Sequence, residues 1–447
     1  MSTTVAFIIG LIILLVLLLK TRINAFISIM IAAVFIGVAS GLGGVETMDA
    51  VKDGFASTCG SVGIVIIMGT MLGSYLEESG AAKQLAETIL SWVGEKRASL
   101  AMAISGYIVS IPVFVDVAYV MLAPLYKSIH RRSKKIPIGS LATALAIGLL
   151  TTNSMVPPTP GPIAVAGLLN LDLGRAIMYG LLVSAIMTIA GWAYCEFFLA
   201  KKPDDWYTYQ EGVVINEAEI EEEEEETKTL PNFFISILPI LIPIILIMLN
   251  TTFKATLGEG HVLVSLFAFL GNSNFAISVG VFSAIVLLMK YMNKEAIFRI
   301  MNTSLNSCGM IIFITAAGGA LAKVIGETGI DKQIADTLIG SGLPLVLIPF
   351  LISGFSKFVQ GSGSVAMIMS ATLCAPLATA GYIDPVLIFL SACVGSNFGS
   401  QINNSFFWVF ANINGYDTKT GIKTLCAGQL IISIVGIVVT MILSMFM

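Results

Sequence analysis

The chain has 447 residues, of which 56% are hydrophobic and 12% charged, and its mean hydropathy is +0.91. Such usage is too apolar for a water-soluble fold and defines an integral membrane protein. The net charge of -4 comes largely from one run near the middle, "EAEIEEEEEETK", which reads as a solvated loop and points to no nucleic-acid partner.

The N-terminal "MSTTVAF" lacks the basic flank and cleavage site of a secretory signal, so the first apolar run is expected to be a membrane span. Apolar segments follow at 4–19, 24–42, 60–77, 98–126, 138–169, 174–199, 233–250, 261–291, 306–325, 342–377, 385–410 and 424–446. Most have the roughly 20 residues that a helix needs to cross a bilayer. The alternation of a β-barrel is absent, and with no water in the hydrocarbon to satisfy open backbone, an all-α polytopic bundle remains. The six cysteines show no metal or redox spacing and read as small packing residues.

Two halves of the chain resemble each other. "CGSVGIVIIMGTMLGSYLEESGAAKQLAETIL", from Cys59, aligns without a gap on "CGMIIFITAAGGALAKVIGETGIDKQIADTLI", from Cys308, at a constant offset of 249 residues. Asn24 and Asn274 open another matched pair of segments, and "DVAYVMLAPL" from Asp116 is echoed from Ser364. Internal duplication on this scale is the mark of a secondary transporter. Lys20, Arg22, Lys96, Arg97 and the run from Lys127 to Lys135 belong inside by the positive-inside rule. Segment 98–126 then begins and ends on one side, and its two arms, divided at Ser110–Pro112, are too short to cross. It is expected to be a re-entrant hairpin, matched by 342–377 from the opposite side. The expected organisation is an N-terminal helix (1–23), repeat 1 (24–199), an acidic cytoplasmic linker (200–231), a connecting helix and a short segment (232–272), and repeat 2 (273–447) of inverted topology.

Two segments interrupt themselves where a span ought to run. "TTNSMVPPTPGP" places four prolines in six positions, Pro157 to Pro162, within 138–169, and "GSNFGSQINNSFFW" crowds small and polar residues within 385–410. Broken backbone at membrane depth is tolerated where it lines a polar cavity, so the two breaks are expected to meet at a substrate site, although prolines also serve as ordinary helix caps. The candidate binding residues are Asn153, Ser154 and Thr159 from the first break and Asn397, Gln401, Asn403 and Asn404 from the second. Each hairpin adds one ionisable group near its tip, Asp116 and Lys357, whose burial costs at least about 2.5 kcal/mol and asks for a function or a partner. Lys357 is the candidate counter-ion of an anionic substrate, and Gln360, Ser362 and Ser364 accompany it, the serines opening a helix whose free N–H groups suit a carboxylate. Asp116 is the candidate proton-coupling group, since burial and a nearby cation pull a carboxyl in opposite directions. Lys323 is the weaker case, being near the outer end of its span.

At these residues the chain resembles a known family. "PPTPGP", "QGSGSVAM", "NNSFFWV" and "FVDVAYVMLAPL" look like signatures of the gluconate permease (GntP) family within the ion transporter superfamily, and the resemblance runs essentially end to end. It implies proton-coupled import of gluconate or a related small hydroxy acid across the bacterial cytoplasmic membrane. It also implies an inverted-repeat fold, often a homodimer embedded in membrane lipid, that moves a binding domain against a scaffold, with no cofactor. Against the gluconate-transporting members this chain has Asn153 and Thr159 in place of His, Gln401 and Asn404 in place of His and Asp, Asp116 in place of Glu, and Lys357 in place of Arg. D-serine, glycerate or another sugar acid as substrate, and sodium coupling as in dicarboxylate carriers of the same superfamily, are the alternatives.

Other classes fit less well. With two histidines, His130 and His261, the constellation of an enzyme is missing, no phosphate-binding loop is present for ATP, and duplicated broken helices do not build the symmetric pore of a channel.

Overall fold

The structure is a computed structural model that describes residues 2–21, 23–133, 136–203, 206–210, 229–257, 261–329, 342–400 and 402–447. Regular structure among them is helical. Helix α1 (Thr3–Lys20) and α2 (Ala25–Ala39) precede α3 (Gly44–Glu78), α4 (Ala81–Val93), α5 (Ala98–Val109), α6 (Val115–Ser133), α7 (Ile138–Met155), α8 (Pro160–Leu168) and α9 (Leu173–Phe197). Then come α10 (Phe233–Thr256), α11 (Val262–Leu270), α12 (Ser273–Leu288), α13 (Lys294–Glu327), α14 (Leu347–Gln360), α15 (Gly363–Thr379), α16 (Pro385–Gly395), α17 (Ser405–Ile413) and α18 (Thr418–Leu443). Among the described residues seven stretches, with α7 and α8 taken as one, are long and apolar enough to cross a membrane. Outer faces of these stretches and of α1 carry exposed Ile, Val, Leu and Phe, as on α10 and α18, where only lipid tails make such exposure favourable.

Helices α3 and α13 pack along each other at the centre of the molecule. Gly54 lies against the backbone of Gly319 and Ala320, and a side chain at either glycine would collide with the other helix. Small residues at such crossings let helices approach in lipid, where no hydrophobic drive exists between them. Tyr75 adds a cross-link, its hydroxyl donating to Ile297 O at 3.1 Å. Both helices begin earlier than the apolar segments 60–77 and 306–325 predict. Their first turns are polar, "GVETMDAVKDG" and "KEAIFRIMNTS", and hydropathy alone reads such turns as loop. At 35 residues, α3 is about 50 Å long, well beyond the hydrocarbon thickness of about 30 Å.

Among the described residues the two halves share part of their order of elements. Each long helix is followed by a left-handed glycine, Gly80 (φ 75°) after α3 and Gly329 (φ 65°) after α13. The helix pair α5/α6, joined by a turn over 110–114, corresponds in order to α14/α15, which turn at Gly361–Ser362, and the interrupted α7/α8 corresponds to α16/α17. Helix α4, amphipathic with Ala82, Leu85 and Ile89 buried, was not among the apolar segments because half of it is polar. Segment 261–271 holds the short helix α11. The expected acidic linker differs at its start. Thr208 and Gln210 dock on the turn after α17, with Gln210 N–H donating to Gly415 O at 2.9 Å and Thr208 bonded to the Thr420 hydroxyl. Tyr207 and Tyr209 stack on buried Tyr416, which explains the docking. The acidic run itself, 217–226, lies outside the described residues.

Candidate substrate site

Both interruptions end at one place. Helix α7 stops at Met155, and the next one starts with Pro160 at its first position, where a missing N–H costs nothing and φ is already helical. Pro162 removes a second donor, so Gly161 supplies the free N–H at this end of α8. Gly161 also lets α15 approach closely, since a Cβ there would sit 2.8 Å from Met367 Sδ and 3.4 Å from Ser364 Oγ. The second interruption, 396–404, lies alongside, and Asn397 Nδ2 donates to Ser154 Oγ at 2.7 Å.

Between the two breaks and the tips of α5/α6 and α14/α15 is a cavity of ≈ 360 Å³. It is lined by Asp116, Asn153, Ser154, Thr159, Lys357, Ser362, Ser364, Asn397, Asn403 and Asn404, ten of the residues that the sequence singled out. The other two, the side chain of Gln360 and the whole of Gln401, lie outside the described residues. Gln429, Ser396 and Phe406 line the cavity too and were not anticipated. Gln429 sits inside an otherwise smooth apolar segment, where a lone amide was the available signal.

Four helix N-termini converge on this cavity, those of α6, α8, α15 and α17, each contributing its first residues to the wall. Their unpaired N–H groups and aligned dipoles together favour an anion. Lys357, 4% exposed, reinforces this, with Nζ donating to Gly361 O at 2.6 Å and its remaining two donors unassigned. Among the described residues no carboxylate lies within 4.0 Å of that ammonium. Asp116 stands in the first turn of α6, where a carboxylate suits the dipole, and its Oδ1 is buried without a partner. The turn that aims Lys357 depends on Gly361, which is left-handed (φ 83°) and abuts Asn403 O so closely that no side chain fits.

The polar side chains divide into two groups. Thr159, Ser396, Asn397, Asn403 and Asn404 hold the frame: Asn403 Nδ2 donates to Phe358 O at 2.9 Å, Thr159 Oγ1 to Val156 O at 2.7 Å, Ser396 Oγ to Cys393 O at 2.7 Å, and Asn404 bonds Ser400 and caps α17. Asp116 Oδ1, Asn153 Nδ2 and Gln429 Oε1 are left open.

A second cavity of ≈ 530 Å³ lies at the other end of α8 and α15, lined by Asp53, Ser57, Thr58, Asn170, Lys323, Glu327 and Thr379 among others. Lys323 Nζ pairs there with Glu327 at 2.8 Å, so it takes no part in the first cavity. Helix α8 has nine residues, which separates the two cavities by about 13 Å.

A part-open chamber with polar side chains and a buried cation in its wall, set between interrupted helices of a membrane protein, defines a membrane carrier for a small polar solute. Residues 2–446 match the profile of the GntP family permease. The chain belongs to that family and is a multi-pass protein of the bacterial inner membrane. It is 35% identical to an uncharacterized permease of Haemophilus influenzae, over 92% of this chain and 86% of that protein. It is 28% identical to a high-affinity gluconate transporter of Escherichia coli, over 98% of each chain, and 28% identical to the Gnt-II system L-idonate transporter of the same organism, over 96% of each. In fold it is similar to two solved transporters. One is YdaH of Alcanivorax borkumensis (TM-score 0.64, 15% identity, covering 94% of this chain and 96% of that one). The other is MtrF of Neisseria gonorrhoeae (TM-score 0.70, 14% identity, 96% of each).

Proposed function

We propose that this permease is a secondary active transporter, a proton symporter that imports gluconate or a related small hydroxy or sugar acid, working as a homodimer. The observation that carries the reading is the cavity itself, where Lys357 and four helix N-termini leave a positive field with no protein carboxylate within 4.0 Å of the ammonium among the described residues. A small carboxylate completes it. Names of full-length relatives, gluconate and L-idonate transporters, support the substrate class. Asp116 is the proton carrier in this account. It is the one carboxylate among the described residues lining the cavity, and its buried Oδ1 has no hydrogen-bond partner. The two halves are inverted repeats in this reading, the pairs α5/α6 and α14/α15 re-enter from opposite faces, and the binding segments move against the scaffold of α3 and α13.

The test is uptake of labelled gluconate into liposomes holding the purified protein. An acidic exterior should drive accumulation, and an inward sodium gradient at equal pH should not. Accumulation driven by sodium alone would replace the proton with sodium as the coupling ion.

A further inference from the structure

The positive half of the cavity accounts for a carboxylate but not for Gln429. This residue lies in α18, 1% exposed, with Oε1 buried and its side-chain amide without a hydrogen-bond partner among the described residues. A buried amide left this way is costly in a finished protein core and is expected where a ligand completes it. Its position is also built. The helix makes a π-helical turn, Ile422–Cys426, that ends three residues before Gln429, and the extra residue rotates everything after it by about 100° relative to a continuous α-helix. Gly428, beside it, brings the helix onto Ile147 of α7, the helix that also carries Asn153. Asn153 Nδ2 is the other open amide atom of the cavity, and the neighbouring Asn397 is already committed to Ser154 and the Cys393 carbonyl.

We propose that Gln429, with Asn153, reads the hydroxyl groups of the substrate, and so sets the preference for a hydroxylated acid over the corresponding plain carboxylate. A hydroxyl both donates and accepts, so it satisfies the Gln429 amide in either orientation, whereas a methylene satisfies it in neither. Recognition is then split between a charged element (Lys357 and the helix ends), which any small carboxylate can use, and an amide element that only a hydroxy acid can use. This assignment rests on the hydroxy-acid reading given above.

The experiment titrates the purified full-length protein with two pairs of acids, D-gluconate with hexanoate and glycerate with propionate. Wild type should bind the hydroxylated member of at least one pair about tenfold or more tightly, the loss expected when a polar site is offered an analogue that cannot pair with it. Gln429→Met should remove most of that preference by weakening the hydroxy acid while leaving the plain acid nearly unchanged. Gln429→Asn keeps a buried amide but withdraws it by one methylene, and should do the same if the methionine variant does not fold. A merely structural role would weaken both members alike. Retention of the full preference in both variants overturns the assignment and leaves the anion site standing. Failure of wild type to bind any of the four acids overturns the hydroxy-acid reading and the role of Gln429 with it.

Discussion

Lys357 has one hydrogen bond to a backbone carbonyl and a position at the tip of α14/α15, and it shares the cavity with Asp116 without an ion pair within 4.0 Å. Lys357→Met should keep the protein folded and weaken binding of the acid by roughly ten- to a hundredfold, since charge-assisted hydrogen bonds contribute about 1.5–3 kcal/mol. A binding titration alongside size-exclusion chromatography checks this, and unchanged affinity would assign the lysine to the frame. Asp116→Asn separates coupling from binding. Exchange of labelled for unlabelled acid across the membrane should persist while accumulation against a gradient under ΔpH disappears. Unchanged accumulation would move the proton to another group.

At the scale of elements, the site rests on two turns that hydropathy alone would reject and on breaks that it exposes. Gly361→Ala places a side chain on a left-handed residue and against Asn403 O, with a strain of about 1–3 kcal/mol. The variant should melt earlier in detergent and bind acid more weakly, because Lys357 and Ser362 flank that turn. Melting at the wild-type temperature would show that the turn tolerates the change. Much of this layer was legible. Prolines cannot continue a helix, so "PPTPGP" announced the gap between α7 and α8, whose second half it covers before running into the first turn of α8. Asn403 and Asn404 announced the second gap because polar side chains in a span need a partner or a cavity. Other features were not legible for equally physical reasons. The first turns of α3 and α13 are polar, so no apolar period marks them. Which asparagines hold the frame and which stay open is decided by packing across hundreds of residues, as between Asn397 and Ser154. Gln429 depends on a π-helical turn, and nothing in "GIKTLCAGQL" distinguishes that turn from ordinary helix.

Across the whole molecule, the two cavities stand in series on either side of α8 and α15. Between them Gly167 receives Val62, and a Cβ on Gly318 would meet Thr372 Oγ1 at 2.7 Å, so the barrier is a few side chains against glycine. By the positive-inside orientation the cavity lined by Asp53 and Thr379 faces out. Thr379→Cys should therefore react with a membrane-impermeant thiol reagent from the outside, and Asn403→Cys, exposed at the rim of the first cavity, from the inside. Labelling of both from one face would contradict alternating access through α3 and α13. The central claim is that a small anionic hydroxy acid occupies the cavity between the two breaks. A cryo-electron microscopy map with the tightest-binding acid of the panel tests it most directly. The account predicts ligand density within hydrogen-bonding distance of Lys357 Nζ and the Ser362–Ser364 backbone, reaching Gln429. Density at Lys323 and Asp53 instead, with the first cavity holding only water, would contradict it.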